Sequence, residues 1–347
     1  MRFGLALGQV SISKIGKLWV VQNNLIQVSL DSERCWFDVL EKKSGITWSH
    51  DPWDNTVGEL VLERKVKEEE RVMVVEPSIE EEKKVTQKIT VDLSSAEEKT
   101  ISEIENGTMV HLSKFKVEGE SIEGSITFQL LISDGSEPKV TVKITDFQPD
   151  RRYSPKQLHL PCRAFPMMTA LDRGYVVLPN VQGGVLPVGQ KVQTPEQVIP
   201  SPAHFVHEVP FTASGIRCNA AGISMPWFGA VKGESSYMAI IETPDDCAIH
   251  FIGHDKRREQ DVRIASISPI WDFSLGGLAY TRVISYAFQP GGGYVEMTKA
   301  FRKYTIERGE FKSFREKIKN NPNVKKLLGA PLVEFLILTN VAENREF

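Results

Sequence analysis

The sequence predicts a mainly β protein: stacked antiparallel sheets to about residue 290, followed by short helices and one further strand. Three observations carry this. Apolar residues alternate with polar ones through most of the chain, the period of a strand with one buried face. Clusters of Gly, Pro, Asn and Asp separate the alternating runs, as turns do. At Gly291-Gly292-Gly293 the apolar spacing changes to three and four, the period of a helix.

In chain order, strands are expected at Leu18 to Leu30, Cys35 to Glu41, Val85 to Leu93 and Met109 to Val117. Ile126, Phe128, Leu130 and Ile132 alternate, as do Val140, Val142 and Ile144, and Asp134-Gly135-Ser136-Glu137-Pro138 between them reads as the turn of a hairpin. Further strands are expected at Gly174 to Leu178, Tyr237 to Glu242, Ala248 to Ile252 and Leu278 to Phe288. Ten or more strands without intervening helices imply sheets packed face to face. Glu59 to Lys84 is dense in both signs of charge and reads as a solvated hairpin or exposed edge. Asp150 to Ser214 is rich in proline yet keeps its apolar residues, which suits long ordered loops over a sheet rim.

After the three glycines, Tyr294, Met297, Phe301 and Tyr304 share one helical face up to Gly309. Phe311, Phe314 and Ile318 mark a second short helix, and Pro322 opens a third turn through Val324, Leu327 and Leu328. Leu332 to Leu338 is a mostly apolar run that reads as a strand buried on both faces, with no partner following it in the sequence.

The chain has 347 residues, 41% hydrophobic and 25% charged, which is ordinary for a folded protein and excludes a disordered chain or a fibre. With 42 Lys and Arg against 45 Asp and Glu, nothing in the charge balance favours nucleic acid or an anionic membrane surface as a partner. No apolar run reaches the ~20 residues needed to span a bilayer, and the start is too short for a secretory core, so a cytoplasmic location is expected. Cys35, Cys162, Cys218 and Cys247 are scattered and show no C-x-x-C spacing, which reads as four reduced thiols with no metal.

No nucleophile elbow, Walker loop, H-E-x-x-H or dinucleotide fingerprint is present, and no cofactor is expected. His204/His207 and His250/His254 have helical ligand spacing, but the first pair lies between Pro202 and Pro210 and the second runs through Gly253, so neither sits on a helix. The best candidates for touching a ligand are Trp227 and Trp271, which lie in loop-like contexts and offer flat faces for a sugar ring. His254, Asp255 and Arg257 in the polar run after Gly253 supply hydrogen bonds nearby. A histidine acting with Glu208, Glu242 or Asp255 would be an acid/base pair on the sheet face.

Phe37 to Ser49, Gly174 to Asn180 with Gly183-Gly184, Met225 to Val231 and Tyr237 to Glu242 together resemble the galactose-mutarotase-like supersandwich domains that precede glycosidase barrels. Ala300 to Tyr304, through Asn321-Pro322 to Leu328-Gly329-Ala330-Pro331, is similar to the connector leading into the first barrel strand of the large α-N-acetylgalactosaminidase-related glycoside hydrolases. The resemblance implies an antiparallel β supersandwich over residues 1–290, a short C-terminal helical connector over 291–330 and one incipient (β/α) barrel strand over 331–347. It also implies a non-catalytic, carbohydrate-associated region whose catalytic barrel belongs to a separate segment, because the paired carboxylates of such enzymes stand on later barrel strands. Glu334 and Glu343 match neither role, and no catalytic residue is assigned. A stand-alone sugar-active enzyme, such as an aldose epimerase using a His/Glu pair, is the alternative.

Overall fold

The computed structural model describes residues 10–51, 56–65, 86–117, 119–168, 174–179, 184–188, 209–212, 225–255, 264–273 and 276–330. The expected barrel strand at 332–338 lies outside them, as do His204, His207, Glu208 and Arg257. Two compact units divide the chain, Met1–Thr298 and Lys299–Phe347.

Among the described residues the first unit is built of antiparallel strands in three sheets. A meander opens it: β1 (Ser11–Ile15), β2 (Leu18–Gln22), β3 (Ile26–Asp31), β4 (Phe37–Glu41) and β5 (Ile46–Trp48). The single strand expected at Leu18 to Leu30 is therefore a hairpin. The Asn23 side chain makes the turn, its Oδ1 accepting from the backbone N–H groups of Leu25 and Ile26 at 2.8 and 2.9 Å. Next come β6 (Glu59–Lys65), β7 (Thr86–Asp92), β8 (Glu98–Ile104), β9 (Gly107–Val117), β10 (Glu120–Ile132) and β11 (Lys139–Gln148). The chain continues through β12 (Ser154–His159), β13 (Met167–Met168), β14 (Gly174–Leu178), β15 (Gly184–Val188) and β16 (Val209–Thr212). Last are β17 (Trp227–Lys232), β18 (Ser235–Ile241), β19 (Cys247–Asp255), β20 (Ile264–Asp272) and β21 (Arg282–Pro290).

The nine-stranded sheet has the order β15-β14-β17-β18-β21-β11-β10-β9-β8. The seven-stranded sheet has the order β16-β19-β20-β12-β6-β7, with β13 paired to β20. The hairpin β10–β11 forms as expected, with Ile132 opposite Val140 and Phe128 opposite Ile144. One expectation is borne out in part and one is corrected. Of the hairpin expected over Glu59 to Lys84, the described residues show β6 paired antiparallel with the edge strand β7, while Leu60, Val61 and Leu62 of β6 are buried, not solvated. The proline-rich stretch from 150 to 214 contributes β12 to β16 to both large sheets.

One face of each large sheet contributes to a common core: Leu60, Leu158, Ile249, Ile267 and Trp271 from one, Val110, Phe128, Val142, Ile284 and Tyr286 from the other. Phe165, on the segment leaving β12, stands amid this core. Its ring lies 5.2 to 5.8 Å from those of Phe37, Tyr237, Tyr286 and Phe288, edge-on to each. Its φ of 55° is in the left-handed region that a bulky residue avoids, so the four surrounding rings hold the backbone there. Trp48 extends the cluster, edge-on to Tyr237 at 4.9 Å and donating its indole N–H to Ser235 Oγ at 3.1 Å.

Helix α1 (Tyr294–Glu307) follows the glycines, and its Met297 is wholly buried. A Cβ on Gly229 would meet Met297 Sδ at 2.7 Å, so glycine there is what admits the methionine onto β17. In the second unit, α2 (Phe314–Asn320) begins with a capping box between Ser313 and Glu316, and a 3₁₀ turn at Pro322–Leu327 opens on the expected proline.

Two outcomes test this packing. Phe165→Ala should lower unfolding stability by about 3–5 kcal/mol in denaturant titration, since it empties the junction of five rings. His50 is 3% exposed and donates Nε2–H to the Thr56 carbonyl at 2.9 Å. Burial holds its pKa below the usual 6.5, opposed by the Thr56 bond, Asp38 and Asp51 and reinforced by Arg163. The unfolded chain therefore takes up the proton first as pH falls. His50 supports stability fully above its ordinary value of 6.5 and progressively less as pH drops toward the folded value. Denaturation midpoints across that window should slope less in His50→Gln than in the parent chain.

Candidate functional site

The site is assembled where β6 begins and β12 ends. Glu59 and His159 are cross-strand neighbours there, and His159 is also opposite Ile270 of β20. In the same ladder Ile270 pairs with Ala248 and Ser268 with His250. Strand alternation therefore sets Glu59, His159, Ile270, Ala248, Ser268 and His250 on one face of the seven-stranded sheet. Leu158, Trp271 and Cys247 lie on the opposite face, against the core. Gly58 makes the close approach of β6 to β12 feasible: a Cβ there would stand 2.7 Å from the His159 carbonyl oxygen.

Beyond His159 the chain turns through a cis Leu160–Pro161 bond. Each residue of this turn is tied to a different strand or loop. The Leu160 carbonyl accepts the Trp271 indole N–H at 3.0 Å, and Cys162 N–H donates to the Val57 carbonyl at 2.9 Å. Arg163 N–H donates to Ser268 Oγ at 2.7 Å, and that hydroxyl reaches Cys162 Sγ at 3.9 Å. The result is a carboxylate, an imidazole, a thiol and a guanidinium in one place.

Distances within the cluster are short. Glu59 Oε2 is 3.7 Å from His159 Nδ1, while Oε1 is 3.9 Å from Arg163 Nη2. His250 stands edge-on to His159 with ring centroids 5.8 Å apart. Burial pushes the His159 pKa down to about 4, with His250 and Lys88 adding to the effect, so the ring is neutral near pH 7. One ligand atom each from Glu59, His159 and Cys162 fall within 4.8 Å of one another. Chemically, such a set can pass a proton between carboxylate and imidazole or hold a cation.

The sequence points to other residues, and the structure places the described ones as follows. Trp271 is in β20, fully buried and facing the core. Trp227 opens β17 at 2% exposure, sharing a face with Gly229 under Met297. Neither indole presents a face on which a sugar could stack. Both looked loop-like because of neighbouring prolines, yet Pro269 is itself a residue of β20, where the ladder to β12 stops at Ile270. His254 and Asp255 are the last residues of β19, and Arg257 lies outside the described residues. Glu242 is committed to the Ser285 hydroxyl, which donates to it at 2.5 Å. The signal that could have found Glu59, His159 and Cys162 is their position beside buried strand ends, which spacing along the chain does not express.

The described thiols are shielded. Cys35, Cys162 and Cys247 are 0, 1 and 4% exposed, and burial raises the pKa of Cys35 to about 11. Alkylation of the folded chain followed by peptide mass mapping should leave these three unmodified, whereas denaturant should expose all of them.

Neither a family model nor a curated protein matches this chain. Among solved structures it is similar to the α-N-acetylgalactosaminidase NagBb from Bifidobacterium bifidum. The complex of that protein with GalNAc aligns at 19% identity and a TM-score of 0.61 over 89% of this chain. Its ligand-free form aligns at 19% and 0.60 over 90%. In both, the chain spans 42% of that protein's length. At this identity the likeness is one of fold. Among the described residues no helix is long and apolar enough to cross a membrane.

Proposed function

We propose that this chain is the carbohydrate-associated, non-catalytic amino-terminal region of a glycoside hydrolase-related protein. The observation that supports this is the match of 89% of the chain to 42% of an α-N-acetylgalactosaminidase. On this reading the catalytic part lies in the share of such an enzyme that the chain does not span. Retaining glycoside cleavage needs two carboxyl groups held about 5–5.5 Å apart on either side of the anomeric carbon, an arrangement this reading assigns to a separate barrel segment.

The alternative of an epimerase requires an imidazole and a carboxylate that both reach a sugar. Among the described residues the histidine and glutamate that meet are His159 and Glu59, and His159 is only 7% exposed. Burial therefore favours the first reading. With both indoles enclosed, the sugar contact proposed here falls to the polar run His254, Asp255 and Arg257.

Incubation of the purified chain with a panel of aryl α- and β-glycosides should give no turnover above blank, and NMR of free hexoses should show no accelerated anomer exchange. Turnover that copurifies with the chain would overturn the non-catalytic reading. Anomer exchange abolished by His159→Gln would establish the epimerase instead. In a sugar-binding titration Arg257→Ala should weaken whatever binding the parent shows.

A further inference from the structure

The turn after β12 brings together three side chains of different chemistry. Glu59 and His159 are fixed side by side by the pairing of β6 with β12. The turn carries Cys162 to them, held by its bond to Val57 and by the Ser268 hydroxyl. A carboxylate oxygen, an imidazole nitrogen and a sulfur then lie within 4.8 Å of one another. The ligand atoms of a tetrahedral zinc stand about 3.3–3.7 Å apart, so side-chain rotations of about an ångström close this set on an ion.

A second observation points the same way independently. His159 is buried, its side chain 9% exposed, and among the described residues neither ring nitrogen has a hydrogen-bond partner. Leaving a buried polar atom unsatisfied costs about 1–3 kcal/mol, and coordination through one nitrogen removes that cost. The two Glu59 oxygens are already divided, Oε2 toward His159 and Oε1 toward Arg163, so an ion beside Oε2 leaves the arginine contact in place.

We propose that Glu59, His159 and Cys162 bind a divalent transition-metal ion of the zinc type, with the fourth position taken by water. Sulfur and imidazole nitrogen select against calcium and magnesium, which take oxygen ligands. On binding, the Cys162 thiol releases its proton to solvent and its sulfur lone pair enters the metal bond, while neutral His159 and ionised Glu59 donate lone pairs. No electron is transferred. The ion ties the start of β6, the end of β12 and the following turn together, so metal binding stabilises the fold. This inference is independent of the carbohydrate reading.

The test is titration of the metal-stripped full chain with cobalt(II) and then zinc(II). One equivalent of cobalt should produce a near-ultraviolet thiolate-to-cobalt band that zinc bleaches, and zinc should raise the melting temperature. X-ray absorption of the zinc-loaded chain should show one sulfur at about 2.3 Å among nitrogen and oxygen ligands at about 2.0–2.2 Å. Cys162→Ser should abolish the band, Glu59→Gln should weaken binding at least tenfold, and Cys218→Ser should change neither. A band that survives Cys162→Ser, a zinc shell without sulfur, or no band and no melting shift in large metal excess would each overturn the proposal. Should Cys162→Ser fail to fold, the X-ray absorption of the parent chain decides.

Discussion

The segment Leu160 to Phe165 is the constraint on which the rest of the first unit depends. Six residues leave β12, and their backbone and side chains bond to Trp271, Val57 and Ser268 before Phe165 enters the ring cluster. Hydrogen bonds at one end position the backbone, and packing at the other holds Phe165 at a φ that its own sterics oppose. Because the surrounding rings come from β4, β18 and β21, the segment couples the opening meander to the nine-stranded sheet. Loss of the ring therefore costs contacts to several elements at once.

The same segment shapes the chemistry. Trp271 accepts its place in the core only because the Leu160 carbonyl receives its indole N–H, which is what a buried tryptophan requires. That bond orients the turn so that Cys162 emerges on the far face, beside Glu59 and His159. A residue read from the sequence as a ligand platform is thus a structural anchor, and the polar groups it helps to position form the cluster. This face is unusual in another way: His159 and Ser268 are buried on it, where the second face of an antiparallel sheet ordinarily carries exposed polar residues.

The likeness to solved structures at 19% identity is one of fold. Sheets of this kind are specified by alternation of apolar residues and by turn chemistry, which many sequences satisfy. Functions are grafted onto such frameworks at particular side chains, so a shared framework says where to look and not what is bound.

The sequence by itself determined the elements whose cause is local. The hairpin of β10 and β11 follows from strict alternation around Asp134-Gly135, and α1 follows from the change of period after Gly291. Strands buried on both faces were less legible: β17 lacks alternation, and prolines in β12 and β20 argued against strands. Only the tertiary structure decided that Trp227 and Trp271 are enclosed, because exposure depends on what covers a face. It alone also brought Glu59 to His159 and Cys162. Pairing between strands far apart in the chain creates that neighbourhood, and no spacing within a single element records it.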